Sequence, residues 1–212
     1  VKRRTAQKIY IPGPWRRLWE RFRGEDVAVF DSPEPLPVLV VRFPRTRQGA
    51  EAMESLRTAW LQLLTVMDPK PTEFYAEVLR ELPRMVAVRF QERNPGAVLG
   101  HACPRGLESP ETRRLAAEIG SPVGEIDLAW KLIRQWQPRP LAALAAGAQA
   151  TTQGDLQYRV ALLTVLFHEL EHLAFPDRTE QQVRSRSDAF YQAALESGIR
   201  EAGGAYGFRQ GV

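Results

Sequence analysis

Residues 160–175 read VALLTVLFHELEHLAF. Leu162, Leu163, Val165, Leu166, Phe167 and Leu170 surround the few polar positions, so a helix over 155–174 is apolar around most of its girth. Such a helix belongs in the centre of a fold rather than on its surface. Inside it, His168-Glu169-Leu170-Glu171-His172 forms an H-E-x-x-H pattern. Residues four apart on a helix lie one turn above each other on one face. Both imidazoles can therefore reach a single Zn²⁺ at about 2.0–2.1 Å. Glu169 falls in the adjoining sector, where it can take a proton from a metal-bound water whose pKa zinc lowers to roughly 7. The chain has three histidines, and two of them lie in this pattern. A histidine pair is costly to bury without partners, and a metal is one way to satisfy it.

A hydrolytic zinc site wants three protein ligands and one open position. No histidine follows His172, so a carboxylate has to complete the set. The compact extension of the motif would need Gly at 175 and His or Asp at 178, where this chain has Phe175 and Arg178. Asp188 ranks first as third ligand, because a following helix can fold back antiparallel on the motif helix. Glu180 and Asp177 are the alternatives. Tyr191 and His101 are the candidate donors for stabilising a transition state.

The segment 155–195 resembles the ImmA/IrrE-like branch of H-E-x-x-H metallopeptidases. Their pattern is an apolar helix, then HELGH, then a second helix with E-x-x-A-[DN]-x-F-A. Here HELEH is followed by RSRSDAFYQAAL at 184–195, with Asp188-Ala189-Phe190 where that family has [DN]-x-F. Arg184 stands where the family's metal-binding glutamate is expected, and Glu171 replaces the usual glycine. The resemblance covers under a quarter of the chain. It implies a zincin-like core and peptide-bond hydrolysis. Val98-Leu99-Gly100 ahead of the motif helix is also similar to small minimal-zincin proteins, whose edge strand holds an extended peptide by main-chain hydrogen bonds.

Working outward, Val27–Phe30 and Leu36–Phe43 read as strands separated by the turn chemistry of DSPEP. Gln48–Met67 carries Met53, Leu56, Trp60, Leu63, Leu64 and Met67 on one helical face, and DPKP ends it. A shorter helix follows over Thr72–Leu82. The alternation in Arg84–Gln91 predicts a half-buried strand, and Ala97–Ala102 its hairpin partner across ERNPG. Helices are expected over 110–119, 123–136, 140–148, 155–174 and 179–198. The spacing at 112–130, with Leu115, Ala116, Ile119, Gly120 and Ile126, also looks like a helix-turn-helix. Its second helix would carry Glu125 and Asp127, a poor surface for phosphate. The reading is an α+β fold: a small mixed or antiparallel sheet against a central motif helix, with a helix-rich C-terminal half. Residues 1–24 form a basic, aromatic N-terminal arm. Residues 25–212 form one domain, in which 108–148 is a candidate helical insertion.

Composition narrows the function classes. The chain has 212 residues, a formal charge of +4 and 44% hydrophobic residues, an ordinary globular balance. One cysteine, Cys103, allows neither an internal disulfide nor a Cys-rich metal cluster. His101 and Cys103 sit two apart, the spacing of strand neighbours on one face, and read more simply as a surface histidine and a buried thiol. No run of about 18 apolar residues suggests a membrane span. VKRRTAQKIYIPGPWRR at the start lacks the apolar core of a signal peptide, so a reducing cytoplasm is the expected setting. The expected function is zinc-dependent hydrolysis of a peptide or protein substrate, with His168, His172 and a carboxylate on Zn²⁺ and Glu169 as base. The alternatives are a DNA-binding or regulatory module built on 112–130, not favoured on charge, and a structural protein with a degenerate metal site.

Overall fold

The computed structural model describes residues 25–66, 73–92, 94, 98–135 and 150–190. The N-terminal arm over 1–24, the helix expected at 140–148 and Tyr191 lie outside the described residues. The fold is α+β, built on a five-stranded mixed sheet. In chain order the elements are β1 (Glu25–Phe30), β2 (Val38–Pro44), α1 (Arg47–Val66), α2 (Glu73–Glu81), β3 (Met85–Gln91), β4 (Gly100–Ala102), α3 (Pro110–Ile119), β5 (Val123–Ala129), α4 (Trp130–Gln135) and α5 (Ala150–Ala174). A last helical stretch, α6, covers 180–190. The strand order is β1-β2-β3-β5-β4. The three inner strands run parallel, and each edge strand is antiparallel to its neighbour.

The inner strands β2 and β3 are nearly continuous apolar runs because both sheet faces are covered, while β5 carries Glu125 and Asp127 among its buried residues. One face buries Leu39, Val41, Val86, Val88, Phe90, Ile126 and Leu128 in the main core. Leu56, Ala59, Trp60 and Leu63 of α1 and Leu162, Leu163, Leu166, Phe167 and Leu170 of α5 complete that core. Burying side chains of this size contributes about 1.5–3 kcal/mol each, so α5 is held by its apolar girth. On the other face, Val27, Val40, Met85, Ala87 and Val123 pack with Leu115 of α3.

Two expectations fail here. Ala97–Ala102 is not the hairpin partner of β3. Its strand, β4, pairs with β5, with Gly100 opposite Leu128 and Ala102 opposite Ile126. The helix expected at 123–136 is instead strand β5 over Val123–Ala129, followed by the short helix α4. β5 fills the slot between β3 and β4 and is buried along its whole length. The helix-turn-helix therefore loses its reading helix, and 108–148 contributes a central strand rather than an all-helical insertion. The acidic residues misled the periodicity. Glu125 and Asp127 look like a solvated helix face, yet both are buried. Arg89 of β3 grips Asp127 through two hydrogen bonds of 2.7 Å, and Glu125 accepts from the Ser109 N–H at 2.7 Å. Gly120 ends α3 in the left-handed conformation (φ 70°), as a helix C-cap rather than a recognition turn.

Candidate metal centre

The apolar residues of α5 place the motif. Leu166, Phe167 and Leu170 anchor its middle in the core, which turns His168 and His172 toward a cleft of about 1440 Å³. That cleft is walled by β4, the end of α5, the first turns of α6, and residues around the start of α3. The two imidazole centroids are 4.9 Å apart. Both Nε2 atoms converge on one carboxylate oxygen: Oε2 of Glu180 is 3.2 Å from His172 Nε2 and 3.5 Å from His168 Nε2.

Glu180 opens α6, and local sequence explains its place. Thr179 and Gln182 form a reciprocal cap: the Thr179 N–H donates to Gln182 Oε1 at 2.8 Å, and the Gln182 N–H donates to Thr179 Oγ1 at 3.4 Å. The turn from Phe175 to Arg178 is so short that the first turn of α6 lies beside the last turn of α5. This puts a carboxylate other than the first-ranked one beside the histidines. Asp188, expected first, is eight residues further on, about 12 Å along the helix. It is exposed and stands outside the cluster of ligand atoms. Asp177, in the connecting turn, is also exposed and outside it. Glu180, the second-ranked residue, is the carboxylate that joins the histidines. Arg184, one turn later, holds the other oxygen of Glu180 at 3.0 Å. Burial opposes the Glu180 charge, but His168, Arg184 and His172 outweigh it and hold the carboxyl below its ordinary range.

His168 has a second partner that sequence reasoning missed. Its Nδ1 lies 3.0 Å from Ser187 Oγ on α6. The Ser187 hydroxyl donates its one proton to the Val183 carbonyl at 2.9 Å. The hydroxyl is therefore left as acceptor for a proton on Nδ1, which assigns the free lone pair of His168 to Nε2, on the Glu180 side. Burial lowers the His168 pKa, which favours the neutral, ligating form.

Glu169 is 6% exposed and faces β4. The Ala102 N–H donates to its Oε2 at 2.7 Å. Gly100 makes the approach possible: a Cβ there would stand 2.5 Å from Glu169 Oε1 and 2.6 Å from its Cγ. Burial pushes the Glu169 carboxyl up to about 8; the Ala102 hydrogen bond works against that rise and the Glu180 charge adds to it.

His101, offered as a transition-state donor, lines the same cleft but is grouped with Cys103 and Asp127 instead of the histidine pair. Those three can bring one ligand atom each within 4.8 Å of the others. Their chemistry is committed elsewhere. Both Asp127 oxygens are held by Arg89, and burial, followed by the charges of Glu125 and Asp127, pushes the Cys103 thiol up to about 12.

The donor set at His168, His172 and Glu180 fits a tetrahedral divalent ion. Two ligands at about 2.0–2.1 Å from such an ion stand roughly 3.3–3.4 Å apart, and the two N···O separations here bracket that value. Two neutral imidazoles and one carboxylate are also a known donor set for catalytic zinc, with the fourth position open. No family model, curated protein or solved structure matches the chain.

Proposed function

We propose that this protein is a zinc-dependent hydrolase of peptide bonds, with His168, His172 and Glu180 as metal ligands and Glu169 as general base. The convergence of both Nε2 atoms on Glu180 Oε2, inside a large cleft, carries the reading. Zinc in that position would supply a bound water acidic enough to ionise near neutral pH and a charge to polarise a carbonyl.

The chain's own groups do the rest. Ser187 orients His168 through Nδ1. Arg184 holds Glu180 by the oxygen that does not face the histidines. The Ala102 N–H occupies Glu169 Oε2, so proton transfer falls to Oε1. A carboxyl pushed up toward neutrality can both accept and return a proton, as a general base that later acts as acid must do. The cleft is open enough for a chain rather than a small metabolite, which favours a peptide or protein substrate. The compartment we propose is the cytoplasm, where a lone cysteine stays reduced. Among the described residues no helix is long and apolar enough to cross a membrane.

Zinc content and hydrolysis of an unstructured protein such as casein test the proposal. The wild type is expected to hold one zinc per chain and the His168→Ala/His172→Ala double variant none. Glu169→Gln is expected to keep the zinc and lose the hydrolysis. Equal, substoichiometric zinc in wild type and double variant would refute the metal site, and full hydrolysis by Glu169→Gln would refute its role as base.

A further inference from the structure

One of the two residues between Glu169 and His172 has a role that the zinc chemistry does not require. Glu171 is fully buried, at 0% exposure. Its Oε1 accepts from Arg178 Nη1 at 2.8 Å and is ion-paired with Arg186 Nε. Glu77 of α2 closes the ring from outside, at 3.1 Å from Arg178 Nη2 and 3.2 Å from Arg186 Nη2. Arg178 also lies over the Phe175 ring at 3.5 Å. Four charges thus alternate around a closed circuit that joins α2, α5, the connecting turn and α6.

The positions of the two arginines matter more than their number. Arg178 lies two residues before Glu180, and Arg186 immediately precedes Ser187. The circuit therefore clamps α6 at both ends of the stretch that supplies the third ligand and the His168 partner. Glu180 has little else to fix it: it is 56% exposed, and besides the histidines it contacts Arg184, itself 70% exposed. Buried ion pairs add little net stability over apolar packing, but their fixed geometry can specify one docking of two elements.

We infer that Glu171 is a positioning residue for the metal centre, acting through Arg178 and Arg186 to seat α6 so that Glu180 and Ser187 meet the two histidines. The inference rests on the zinc reading above.

The test compares wild type, Glu171→Gln, Arg186→Lys and Glu180→Ala in three measurements: far-ultraviolet circular dichroism, zinc affinity by competition with a chromophoric chelator, and the visible spectrum of the cobalt-substituted protein. Glu171→Gln is expected to keep the circular dichroism of the wild type, bind zinc about 10–100-fold more weakly, and shift its cobalt spectrum toward that of Glu180→Ala. A merely structural role would leave the cobalt spectrum of the folded protein unchanged. Arg186→Lys keeps the charge without the fork and should shift in the same direction by less; it carries the test if Glu171→Gln does not fold. Wild-type affinity and spectrum in whichever of the two variants folds would overturn the positioning role while leaving the zinc reading intact, provided Glu180→Ala is impaired. A wild type that takes up no zinc would overturn both.

Discussion

Gly100 offers a sharp test of how β4 and the motif helix are joined. Its backbone is not left-handed, so conformation alone does not demand glycine there. Space does. A Cβ would sit 2.5 Å from Glu169 Oε1, 2.6 Å from Cγ and 2.8 Å from Cδ, against an ordinary contact of 3.4 Å or more. The Glu169 side chain would have to retreat by roughly 0.9 Å to restore contact distance, the scale at which a packed interior responds to added volume. A retreat of that size from β4 stretches the 2.7 Å bond from Ala102 N–H beyond hydrogen-bonding range. Overpacking typically costs about 1–3 kcal/mol and a buried polar group stripped of its partner about 1–3 more, so Gly100→Ala should destabilise by roughly 2–6 kcal/mol. Urea unfolding of the metal-free protein measures it. Glu169→Ala supplies the control, because it removes the three atoms nearest to the new methyl. In that background Gly100→Ala should cost less than about 1 kcal/mol, leaving a coupling energy of at least about 1 kcal/mol. An equal cost in both backgrounds would refute the reasoning, since the clash would then lie elsewhere.

Three further outcomes follow from the same contacts. In metal-free protein the raised carboxyl of Glu169 contributes stability that is full below pH 4.5 and lost as pH climbs through about 8. That rise corresponds to at most about 5 kcal/mol, and Glu169→Gln should remove this part of the pH dependence; parallel urea-midpoint profiles from pH 4 to 9 would contradict it. Ser187→Ala should weaken zinc binding about tenfold by freeing the His168 ring, and chelator competition showing unchanged affinity would remove Ser187 from the site. Cys103, pushed up to about 12 by burial and acidic neighbours, should react with a disulfide reagent at pH 8 far more slowly than the same thiol in urea-unfolded protein; equal rates would show the thiol to be unshielded.

How far the sequence could be read depended on the range of the forces involved. The strands β1, β2 and β3, the helices α1, α3 and α5, and the α+β class follow from apolar periodicity, which is a local signal. His168, Glu169 and His172 were legible because their spacing and the girth of α5 act within a few helical turns. Val123–Ala129 was misread because its acidic residues looked solvated. Arg89, on a strand 38 positions away, makes a buried Asp127 tolerable. The pairing of β4 with β5 rather than β3 was hidden for the same reason: strand partners are chosen by the whole sheet, not by the turn alone.

The third ligand marks the boundary most clearly. With no histidine after His172, the sequence by itself pointed to a carboxylate as the third ligand of the proposed site. The cap of α6 by Thr179 and Gln182 is a local contact that sets Glu180 in the first helical turn. Which carboxylate faces the histidines was decided only by tertiary structure. Where α6 rests on α5 involves the Phe167–Phe190 stack and the circuit of Glu171, Arg178, Arg186 and Glu77, whose members lie up to 109 positions apart. Ion pairing over that separation leaves no periodic trace in the chain, because it depends on where folded helices come to rest.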